Sequence, residues 1–129
     1  MGMDQKIVFA AERLPSWSSL AEFLSGRGFA VQLRMIDGEL SFPDETPPEH
    51  WRELRLGTPG GMVTMRREPD GITLATWGNA DASLRQSWHA LAYALARLTA
   101  GSVETANGPM SAEQFASSVA LPIAPEPGS

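Results

Sequence analysis

The chain has no cysteine, and with that residue go disulfide frameworks, thiolate zinc clusters and thiol nucleophiles. Histidine is nearly as scarce. His50 and His89 are the two present, neither within a ligand-spaced motif, so no metal is expected and no cofactor is implied. No stretch approaches the roughly 20 apolar residues that cross a bilayer. The opening run through Phe9 is too short for a secretory leader, so no membrane role is expected and the reducing cytoplasm is the expected location.

Basic charge is also in short supply. Ten Lys and Arg stand against 15 Asp and Glu, for a formal net charge of −5. Phosphate binding usually shows as a basic excess, so this balance disfavours nucleic acid as a partner. Lys6 is the one lysine. The arginine bias suits planar, bidentate contacts and equally fits a GC-rich genome. Gly57-Thr58-Pro59-Gly60-Gly61 lacks the lysine and following Ser or Thr of a phosphate loop and lies between strands, which makes it a hairpin turn. No Gly-x-Ser-x-Gly or paired-carboxylate pattern occurs, so no catalytic residue is assigned.

What is present suffices for one core. With 129 residues, 43% of them hydrophobic and 19% charged, the chain has the apolar surface to order itself as one domain, 1–121. The prolines and terminal Gly-Ser of 122–129 read as a disordered tail.

Lys6 to Ala11 forms a short apolar run, and Ser16 or Ser19 then caps a helix through Leu24. From Phe29 the period becomes two, with Phe29, Val31, Leu33 and Met35 inward and Arg34 and Ile36 outward. Asp37-Gly38 signals a two-residue hairpin that sets Met35 opposite Leu40 and Leu33 opposite Phe42. Three further strands follow the loop of residues 43–48: Trp51 to Leu56, Met62 to Arg67 and Ile72 to Trp77. Asn79 or Asp81 caps a long helix, Ala82 to Thr99, whose core stripe holds Leu84, Trp88, Leu91, Leu95 and Leu98. His89, Arg85 and Tyr93 fall outside that stripe, with Ala90 and Ala96, and Gly101 ends the helix. A short strand over 102–105, a turn at Asn107-Gly108-Pro109 and a helix over 112–119 complete the pattern. It predicts an α+β two-layer sandwich, with a mainly antiparallel sheet of about five to seven strands covered on one face by two amphipathic helices.

The other sheet face is less polar than free solvation requires. The predicted registers place Arg34, Trp51, Arg55, Met62, Arg66 and Trp77 on it, with Ile36 and several polar residues. Tryptophan, methionine and arginine are enriched at protein interfaces. Alternatively, the tryptophans merely cover their own sheet as cross-strand pairs. A small bacterial, non-enzymatic interaction protein is the expected function, its partner another protein or a second copy in a homodimer. The alternative is a small enzyme or ligand-binding domain with a pocket between long helix and sheet edge, for which His50, His89, Arg85 and Tyr93 would be the polar residues.

Overall fold

The computed structural model describes residues 2–42 and 44–123; Pro43, the segment 124–129 and the side chain of Trp77 lie outside that description. Asp37 and Gly38 take φ values of 50° and 85°, the backbone of a type I′ turn. They fold β2 (Gln32–Ile36) onto β3 (Glu39–Leu40) with Met35 opposite Leu40. The expected pairing of Leu33 with Phe42 is not formed, because β3 ends at Leu40. Thr58 pairs with Gly61 to close β4 (Glu53–Thr58) onto β5 (Gly61–Glu68), and the turn at Pro69-Asp70 leads into β6 (Gly71–Trp77).

β1 (Gly2–Val8) starts earlier than its apolar residues suggest and pairs with β6 along its whole length. Its register partners, rather than its own hydrophobicity, define it. β7 (Ser102–Thr105) follows β1, and Gly108–Met110, expected as a turn, forms an eighth strand, β8. As an outermost strand, β8 tolerates Pro109, which lacks an N–H to donate. The antiparallel sheet has the order β3-β2-β4-β5-β6-β1-β7-β8.

Among the described residues three α-helices, all three anticipated in the sequence, cover one face, where two were expected to cover it. In α1 (Trp17–Ser25) the Ser16 hydroxyl accepts from Ser19 N–H at 3.1 Å. In α2 (Ala82–Thr99) the Asp81 carboxylate accepts from Leu84 N–H at 2.9 Å. Ser111 and Gln114 form the expected capping box of α3 (Ala112–Ser118). The Trp88 indole N–H ties α2 to the sheet by donating to the Leu74 carbonyl at 3.0 Å. Ala100, at φ 54°, makes the left-handed C-cap expected of Gly101. Gly101 serves close approach instead, since a Cβ there would lie 2.3 Å from the Val8 carbonyl oxygen.

Residues 90–96 of α2 are all buried, so Ala90, Tyr93 and Ala96 do not face water as their helical phase implied. α1 and α3 both pack on α2, and burial by neighbouring helices extends past the sheet-facing stripe. Leu98, assigned to that stripe, is 36% exposed. Ile123 is 5% exposed and belongs to the core, two residues past the expected end of the domain at 121; the rest of the predicted tail, from 124, lies outside the described residues.

Candidate interaction face

A sheet covered on one side presents its other side as a ready surface, and the strand registers fix what that surface carries. Leu33, Leu54, Leu56, Val63, Met65, Ile72 and Leu74 point to the helices and are buried. Their alternates form rows across the open face. One row runs Leu40, Met35, Arg55, Thr64, Ala75 and Asp4. The next runs Glu53, Arg66, Thr73 and Lys6. A third holds Gln32, Gly57 and Met62.

Arg34, Arg55, Met62 and Arg66 therefore occupy the face expected of them. Ile36 and Trp51 do not. A register shift between Leu33 and Met35 inserts one extra residue, so that Met35 joins Arg55 on the open face and Ile36 turns into the core beside Leu54. Because Leu40 is in register with Met35, the bulge carries it outward too. Leu40 is 87% and Phe42 75% exposed.

Trp51 is 6% exposed and part of the core, so it does not stand on the open face. One oxygen of Asp37 accepts from Arg52 N–H at 2.7 Å and from Glu53 N–H at 2.8 Å. Successive amides of a pleated strand point to opposite sides, so their convergence on one atom kinks the chain before β4. The strand parity that placed Trp51 outside stops there. These two bonds, Glu53 first, hold the Asp37 carboxyl below its ordinary value.

Two hollows open on the face. Asp4, Arg55, Thr64, Ala75 and Met62 line one; Met62, Arg34, Met35, Leu40 and Phe42 line the other. Gly57 makes room for the Arg34 side chain: a Cβ there would fall 2.8 Å from its Nε. Arg66 Nε donates to Glu53 Oε2 at 3.3 Å, and Lys6 pairs with Asp70 at 2.8 Å. That hydrogen bond raises the Lys6 pKa and lowers that of Asp70. Arg55 contacts the Met35 sulfur at 3.8 Å. Among the described residues neither Arg55 nor Asp4 has an ion-pair partner.

The four residues of the alternative pocket are dispersed. His50 is exposed in the loop before β4, and Arg85 is exposed with its Nε donating to the Ala80 carbonyl at 3.2 Å. Tyr93 is buried, its ring 6.3 Å from that of Phe23. His89 is half-buried, 5.2 Å from the Trp88 ring and 5.6 Å from that of Phe115, rather than solvated. Desolvation chiefly, then the Arg85 charge, lowers its pKa. The hollow between the end of α2 and the β1/β7/β8 edge is lined instead by Phe9, Arg13, Thr99, Ser102 and Met110, among others.

Among the described residues no group of three His, Asp or Glu side chains could hold a metal ion, and no helix is long and apolar enough to cross a membrane. No protein-family model, curated protein or solved structure matches the chain.

Sequence reasoning missed Met35, Leu40, Phe42, Asp4 and Lys6. Met35 and Leu40 depend on a bulge, which leaves no local sequence signal, and Phe42 lies beyond β3, which ends at Leu40. Asp4 and Lys6 were findable from the alternation of Met3, Gln5 and Ile7 against them, a pattern weakened by the polar Gln5.

Proposed function

We propose that this chain is a non-enzymatic interaction protein of the cytoplasm and that its open sheet face is the contact surface. The observation that carries this reading is an apolar patch on that face, Leu40, Phe42 and Met62, at 87%, 75% and 40% exposure, set among Arg34, Arg55 and Arg66. A sheet face that functions only as a solvated surface is polar throughout. Large apolar side chains bordered by arginine are the composition of an interface centre with its rim.

Hydroxyl-radical footprinting tests this by comparing the chain in an extract of its source cells with dilute purified chain. Met62, Leu40 and Phe42 should be protected in the extract, while Leu98, exposed on the helical side, labels equally in both. Equal labelling of the sheet-face residues, with the purified chain monomeric at that dilution, would overturn the reading.

A further inference from the structure

Given a contact face, its charge pattern specifies an occupant. We propose that the open face pairs with the same face of a second copy, about a two-fold axis lying in the interface parallel to the strands and between β5 and β6. This rests on the contact-face reading and adds a partner and a geometry to it.

The strands β4, β5, β6 and β1 are consecutive in the sheet. A two-fold axis midway between β5 and β6 exchanges β4 with β1 and β5 with β6, and it keeps each cross-strand row level with itself. In the first row it sets Arg55 opposite Asp4 of the second copy and Thr64 opposite Ala75. In the next it sets Glu53 opposite Lys6 and Arg66 opposite Thr73. Opposite charges meet in both rows. Arg55 and Asp4 have no ion-pair partner among the described residues of their own chain, whereas Glu53 and Lys6 already pair with Arg66 and Asp70 there. The first row therefore carries the match, and the symmetry makes it twice.

Within one chain Arg55 and Asp4 are three strands apart, about 14 Å at ordinary strand spacing, and cannot satisfy each other. Faces of two sheets packed about 10 Å apart bring such side chains into reach. The small Thr64 and Ala75 lie nearest the axis and permit close approach. Met62, beside them on β5, is then covered. An in-plane axis perpendicular to the strands through the same row would instead set Arg55 against Arg55 and Asp4 against Asp4. The face is thus complementary to itself in one orientation and repulsive in the other, which is how charges select a docking geometry.

Sedimentation velocity over a concentration series tests the proposal, using the full chain and charge exchange. The unmodified chain should dimerise. Arg55→Asp and Asp4→Arg should each raise the dimer dissociation constant by about tenfold or more, and the double variant, which rebuilds the pair with its signs exchanged, should recover most of that loss. Thermal unfolding checks that each variant is folded, and Arg55→Gln replaces any reversal that is not. A chain that stays monomeric at every concentration, or a double variant no better than the singles, overturns the pairing. If the chain is monomeric while Met62 is still protected in cell extract, the self-pairing fails and the contact face stands with another occupant. Without that protection both fail.

Discussion

The guanidinium carbon of Arg67 lies 4.5 Å above the ring of Trp51, and this stack seals one end of the core. Arg67 is the register partner of the inward-facing Ile72, so its side chain leaves the sheet on the helical side, where the indole lies. One of its terminal nitrogens donates to the Glu49 carbonyl at 3.1 Å. Trp51 is therefore held between the β4 entry kink and a cation, an arrangement that favours the ring face.

Trp51→Ala should consequently lower stability by about 3–5 kcal/mol, as expected for deleting a buried large aromatic. Met62→Ala, on the open face, should cost less than about 1 kcal/mol in the monomer. Urea unfolding at low protein concentration separates the two. Equal midpoints would return Trp51 to the surface.

Asp37 has two roles that a conservative substitution can divide. Asp37→Asn keeps a residue suited to a type I′ turn but removes the carboxylate that accepts the Arg52 and Glu53 amides. The folded-state pKa of Asp37 is depressed, so its contribution is present above the unfolded value of about 3.8 and is lost as pH falls through the lower folded value. Thermal midpoints measured down through the acid range should fall less steeply for the Asn variant. Parallel curves would mean that the charge contributes nothing.

His89 acts in the opposite part of the pH scale. Its folded pKa lies below the ordinary 6.5 because burial disfavours the charged ring. The unfolded chain then binds the proton more readily, and stability falls as pH drops below about 6.5 until the folded value is reached. His89→Gln should flatten that part of the profile. An NMR titration placing His89 at or above the ordinary value would contradict the assignment.

α2 offers an internal comparison. Leu91 is fully buried and Leu98 is 36% exposed. Leu91→Ala should cost about 2–5 kcal/mol and Leu98→Ala less than about 1 kcal/mol, measured as shifts in urea midpoint. Similar losses would mean that the end of α2 is packed more tightly than its exposure indicates.

Much of the fold was legible because local rules and tertiary packing agreed. The Asp37-Gly38 turn, the capping box at Ser111 and the bounds of α2 follow from residues adjacent in the chain. What failed was parity over distance. One extra residue at Arg34 moved Ile36, Met35 and Leu40 to opposite faces from those predicted, and the amides converging on Asp37 ended the alternation that had placed Trp51 outside. The enclosure of Tyr93 and Ala90 depended on where α1 and α3 dock, which helical phase does not encode. The arginines and Met62 were readable because they lie in β4, in β5 and at the bulge itself, where the outward assignment survived.

A chain without cysteine allows a direct measurement of the face. Thr64→Cys, next to the proposed axis, and Glu22→Cys, exposed on α1, can each be treated with a short bis-maleimide under identical dilute conditions. A covalent dimer formed by the Thr64→Cys chain and not by the Glu22→Cys chain is the expected result. No dimer from Thr64→Cys, or equal yields from both, would contradict self-pairing through the open sheet face.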